Sequence, residues 1–209
     1  MSGNARGLIV AVAALFVAAC SSTSTAGTIS PAPSVAASPT IGASPSAAAA
    51  TTSMDPCQLV TQAEASQLAG TSYAAGKEET TSGGGRMCWY GAQTTNVFEV
   101  FVGAASSAGV AQAQWDNEKS QLQAAIEKGG STPGLTLNAN VVDTSIAGAD
   151  RAAAGSLSFS GNGFSIAGSV VYLLKGATFV AIANLVAGHA SPSIPAMEAE
   201  AQIALGRLP

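Results

Sequence analysis

Apolar positions along the chain follow two rhythms, and the switch between them lays out the elements. Helical spacing comes first. Asp55-Pro56 is a helix-opening pair, and Thr61-Gln62-Ala63-Glu64 fits a capping box. Leu59, Val60, Ala63 and Leu68 can share one face, and Gly70 is placed to end the helix. Lys77 to Gly85 is polar and Gly-rich and reads as a loop. Alternation then takes over: Arg86 to Tyr90 is a short strand, and Asn96 to Val102 puts Phe98, Val100 and Val102 on one face. Trp89 and Tyr90, being adjacent, must point to opposite faces. From Ala108 to Lys128 the period returns to helical, with Ala111, Trp115, Leu122 and Ile126 on one stripe and Gly129-Gly130 as the stop. Ala149 to Ser160, Ile166 to Leu174 and Thr178 to Val186 read as strands joined by tight turns at Gly161-Asn162-Gly163 and Lys175-Gly176-Ala177. A last helix is predicted from Pro195 to Arg207. The order helix, strands, helix, strands, helix predicts an α+β fold, an antiparallel sheet with helices packed mainly on one face.

The first 54 residues carry neither rhythm. Residues 1–19 read as an export signal: Arg6, then an uncharged apolar run from Gly7 to Ala19, too short for a spanning helix. The run ends in Val17-Ala18-Ala19-Cys20, which resembles a bacterial lipobox, so Cys20 is the expected lipid acceptor. Acyl chains there would hold the protein stably on the extracytoplasmic face of the cell membrane. Residues 20–54 form a disordered Ser/Thr/Ala/Pro tether without charge before Asp55, expected to span roughly 30 Å as a flexible coil. Residues 55–209 are then a single extracytoplasmic domain.

Composition narrows the partners. The net charge is −4 with only 10% charged residues. No run of Lys and Arg is present, which argues against nucleic acid and against a polybasic membrane contact. Of the three cysteines, assigning Cys20 to lipid leaves Cys57 and Cys88, an even pair in an exported domain, where a disulfide is favoured. A metal or redox site is the competing reading, but the sole histidine is His189. In the chain-entropy view, a bridge closing a loop of about 32 residues stabilises by about 4 kcal/mol.

The segment Asp55-Pro56-Cys57-Gln58-Leu59-Val60-Thr61-Gln62-Ala63-Glu64-Ala65, with Leu68-Ala69-Gly70 and later Cys88-Trp89, resembles a mycobacterial-type actinobacterial lipoprotein family catalogued as a domain of unknown function. The resemblance covers Asp55 to Pro209, although its motifs lie in the first third. It implies an actinobacterial envelope and a Cys57–Cys88 bridge, and brings no catalytic residues with it.

Chemistry is sparse. There is no Gly-x-Ser-x-Gly, and Gly83-Gly84-Gly85-Arg86 lacks the end of a phosphate loop. Glu78-Glu79 read as a solvated pair, Asp150 beside Arg151 as a local ion pair, and Trp115 as core. Neither a catalytic set nor a metal or cofactor site is expected. The expected function is a non-catalytic binding or adaptor module for an envelope lipid, glycan or protein. The alternatives are an envelope hydrolase using a carboxylate with His189, or a lipid carrier.

Overall fold

A computed structural model describes residues 53–81, 84–92, 96–129, 135–161 and 164–209. The export signal, Cys20 and the tether up to Thr52 lie outside the described residues, as does the turn at Asn162-Gly163.

Two short helices open the domain. Helix α1 (Pro56–Leu59) starts where the Asp55 carboxylate accepts from the Cys57 N–H at 2.8 Å, with Pro56 in the first turn. Helix α2 (Gln62–Ala69) carries the predicted capping box: Glu64 N–H donates to the Thr61 hydroxyl, and Thr61 N–H donates to the Glu64 carboxylate at 2.8 Å. It ends at Gly70 with φ 62°, left-handed backbone that glycine adopts without a Cβ clash. After these come β1 (Lys77–Thr80), β2 (Arg86–Ala92), β3 (Asn96–Ala104) and the long helix α3 (Ala108–Gly129). Strands β4 (Leu135–Thr144), β5 (Arg151–Gly161), β6 (Phe164–Lys175) and β7 (Thr178–Ala187) follow, and α4 (Ile194–Gly206) closes the chain.

The strands form one seven-stranded antiparallel sheet in the order β1-β2-β3-β7-β6-β5-β4. Strand β7 returns to the centre to pair with β3, so the two halves of the chain meet through Val100↔Ile182 and its neighbours. The fold is α+β, as the alternation predicts. Two strands differ from expectation. Lys77–Thr80 is a strand rather than part of a loop, because it pairs with the whole of Arg86–Met87–Cys88–Trp89. Leu135–Thr144, to which the sequence pattern assigned no element, is a ten-residue edge strand paired with β5.

Alternation sorts the sheet residues into two faces. One face packs against α1, α2 and α4. Its core holds Leu59, Val60, Cys88, Tyr90, Phe98, Val100, Val102, Val171, Leu173, Val180, Ile182, Met197, Ala201 and Leu205. Arg207 ties the two ends of this helical layer together, donating to Leu59 C=O at 2.7 Å and to both oxygens of Glu64. Helix α3 is the exception to helices on one face. Its Ala111 and Trp115 pack on Ala153 and Leu174, whose side chains point away from the other helices. The expected stripe residues Leu122 and Ile126 have side chains outside the described set.

Candidate functional site

The α3 side of the sheet is where polarity and packing disagree. On β3, Val97, Glu99 and Phe101 point to this side, and Glu99 is 9% exposed. Across the strands its row reads Lys77 on β1, Trp89 on β2, Glu99, Ala183 on β7 and Val170 on β6. The neighbouring row carries Met87, Phe101, Ala181 and Tyr172. Val97 and Leu185 lie on the other flank, buried with Trp89 and Ile166 packed against them. Glu99 is therefore ringed by apolar side chains, and no hydrogen bond reaches its carboxylate among the described residues.

Strand β7 shapes this region into a trough. Its Ala181 and Ala183 are small and only partly buried, while Trp89 and Phe101 on one side and Tyr172 on the other are larger. Among the described residues the trough is thus lined by methyl groups, aromatic rings and a carboxyl, with α3 packed over β6 and β7. Burial pushes the Glu99 carboxyl up to about 7. It does the same to Glu118, which α3 brings over the sheet. The Tyr172 phenol is raised first by burial and then by the charges of Glu118 and Glu99, so each carboxyl lies within electrostatic reach of the phenol. The described cations of this side are held at its rim. Lys77 Nζ sits 5.2 Å from the centre of the Trp89 ring, Lys119 bonds Asp143 at 2.6 Å, and Arg151 bonds Asp116 at 3.4 Å while covering the Trp115 ring. Among the described residues, no three His, Cys, Asp or Glu side chains come together as a metal-binding group.

The residues singled out from sequence are dispersed. Cys57 and Cys88 are joined as a disulfide with Cα atoms 5.2 Å apart, linking α1 to β2 on the face opposite the trough. Tyr90 is core beside that bridge, its hydroxyl donating to Val60 C=O at 2.6 Å, while Trp89 faces the trough. Trp115 is core, as its stripe position implies. His189 is exposed in the bend between β7 and α4 and has no hydrogen-bond or ion-pair partner among the described residues. Glu78 pairs with Arg86 across β1 and β2, and Glu79 is exposed. Asp150 does not pair with Arg151. It accepts from the Gly176 N–H at 2.6 Å, fixing the turn into β7, because the strand start sends Arg151 to the α3 side instead. The sequence reading passed over Glu99, Glu118 and Tyr172. The signal for the first was present in Val97-Phe98-Glu99-Val100-Phe101, a charge at an inward position of an otherwise apolar strand.

A second polar group lies at the far end of the helical face. Buried Asn184 donates to Tyr73 Oη, Asn96 Oδ1 and Val97 C=O at 3.2–3.3 Å. Tyr73 in turn donates to Asn96. These bonds fasten the segment after α2 to β3 and β7, and the group is structural.

No match is found among curated proteins. A family model does match, over residues 15–158, a span that runs from Leu15 through Cys20, Cys57, Cys88 and Glu99 into β5. The chain belongs to that family, described as a protein of unknown function (DUF3558).

Proposed function

We propose that the protein is the binding module of a lipid-anchored envelope lipoprotein, non-catalytic, taking a small amphiphilic ligand in the trough on the α3 side of the sheet. The observation that carries the reading is the setting of Glu99: a carboxylate residue only 9% exposed, with no hydrogen-bond partner among the described residues, on an apolar sheet face beside half-buried aromatic rings. Burial of this kind disfavours the ionised form and pushes the carboxyl up to about 7. Carboxyls shifted by burial cluster at binding and catalytic sites. Between an adaptor that docks a protein and a carrier of a small molecule, the trough favours the second, because its carboxyl is almost fully buried among apolar side chains rather than displayed on an exposed surface. The exposed, unpartnered His189 gives the hydrolase reading no catalytic pair. The anchor rests on the lipobox ending at Cys20 and on the chargeless segment behind it.

Native mass spectrometry of the protein, released gently from membranes, tests the proposal. A reproducible extra mass that organic solvent removes, and that is missing after Ala183→Trp fills the trough, is the expected result. The bare protein mass in repeated preparations would count against a carried ligand.

A further inference from the structure

The two edges of the sheet are built differently. Strand β1 is four residues long and charged through Lys77, Glu78 and Glu79, with Arg86 of β2 bonded across it. A short, charged edge resists pairing with another chain. Strand β4 is ten residues long, has Asp143 as its one charge and no proline, and is outermost on its side. Among the described residues nothing pairs with its outer edge. The apolar core also runs out to it. Cys88, Val100, Ile182, Val171 and Ala154 form one row across five strands, each at most 2% exposed, and the row ends on β4 in Val142, which is 56% exposed. Asn138 and Asn140, on the same side of β4, are exposed as well. Helix α3 meets β4 on the opposite face, where Lys119 bonds Asp143, and among the described residues α4 is bonded to it at Thr144.

We infer that the open edge of β4 pairs antiparallel with the β4 edge of a second copy of this chain, about a two-fold axis at Asn140. The inference goes beyond the proposed binding role and uses none of the trough residues. A two-fold contact sets the same surface against itself, so the strand must complement its own sequence. With the axis at Asn140, Asn140 faces Asn140 of the second copy, Asn138 faces Val142, Thr136 faces Thr144 and Asp143 faces Leu137. Asp143 therefore meets no like charge, and the exposed Val142 gains a neighbouring strand. This register engages residues 136–144, a ladder of about 30 Å at the usual rise. An axis at Val142 would engage 140–144 alone. A partner recognised by charge would find on this strand a single carboxylate, already bonded to Lys119. A second copy needs no charge, because the backbone groups of one open edge supply those of the other.

The test is cysteine cross-linking of the full chain in the cells that make it, with dibromobimane. Directly opposed residues of paired strands lie about 5 Å apart, within that reagent's reach, so Asn140→Cys is expected to give at least about fivefold more homodimer than Thr80→Cys on the guarded edge. Both positions are exposed, so folding is retained. The parent chain, with Cys57 and Cys88 bonded to each other, is the background. Asn138→Cys and Val142→Cys produced together should cross-link more than either alone, because the register sets each against the other and not against itself. That pair leaves Asn140 in place, so it also reports pairing if the axis residue tolerates no change. Equal cross-linking of the two variants alone and together would overturn the axis. Dimer from Thr80→Cys or from the parent at the level of Asn140→Cys would overturn the β4 contact. A product of another mass would give the edge to a different protein. No product from either the Asn140 variant or the mixed pair would overturn the pairing altogether.

Discussion

At the scale of single residues, Glu99 dominates the pH behaviour. Its carboxyl ionises at about 7 in the folded protein against 4.5 when unconstrained, because burial penalises the charged form. A raised acid adds stability that is fully present below the unfolded value and is lost as pH climbs through the folded one. Stability is therefore expected to fall between about pH 4.5 and 7, with Glu118 contributing in the same direction. Glu99→Gln should flatten that fall and leave the variant more stable than the parent at pH 8, by on the order of 2 kcal/mol. Urea unfolding at pH 5 and pH 8 measures it, and equal slopes with pH for parent and variant would refute it. Glu64 acts with the opposite sign. Its hydrogen bond to Arg207, helped by Thr61, lowers it to about 2, so its contribution is present above 4.5 and disappears as pH falls toward 2.

At the scale of elements, what could be read ahead depended on whether a segment's own pattern decided its state. The cap signals around Asp55 and Thr61-Glu64, the stripe of α3 through Ala111 and Trp115, and the turn into β7 are local, and each is found where the sequence puts it. Strand β1 was illegible because Lys77-Glu78-Glu79-Thr80 is polar throughout; its strand state comes from pairing with β2, and all four residues stay exposed. Strand β4 was missed although Leu135, Leu137, Ala139 and Val141 alternate with Thr136, Asn138 and Asn140; asparagine is a poor strand former, and pairing with β5 overrides that preference. The trough was illegible for a related reason. Its residues come from β2, β3, α3, β6 and β7, and only the return of β7 beside β3 brings Glu99 and Tyr172 near each other. Gly155 shows how tightly β4 is held: a Cβ there would stand 2.0 Å from the Asn140 carbonyl oxygen and 2.5 Å from the Val141 Cα, both backbone atoms that cannot swing aside. Gly155→Ala is expected to lift the edge strand, costing about 2 kcal/mol or more. Hydrogen exchange should show faster amides in residues 138–144 while β3 and β7 keep their protection. Unchanged exchange across β4 would count against this account of the pairing.

At the scale of the whole molecule, the sheet separates two tasks. The face under α1, α2 and α4 is a mainly apolar core closed by the disulfide, with Asn184 and Glu200 buried in it, whereas the opposite face holds α3 and the trough with Glu99. No described helix is long and apolar enough to cross a membrane, so on the proposed reading attachment depends on Cys20. Cys20→Ser is expected to move the protein from the detergent phase to the aqueous phase in a cloud-point partition of whole cells, without altering ligand mass. A variant that stays with detergent would show that something other than the thioether lipid holds it.

The position of the disulfide also has a mechanical meaning. Cys57 is four residues after Ser53, the first residue described, and its partner Cys88 lies within β2, hydrogen-bonded to β1 on one side and β3 on the other. A pull on the chain ahead of Asp55 is passed through a covalent bond into the sheet, where it loads ladder bonds together. Without the bridge the same pull would strip α1 and then α2 from the core one turn at a time. Whatever strains the leading segment bears, the force enters the domain at its strongest layer and on the side away from the trough.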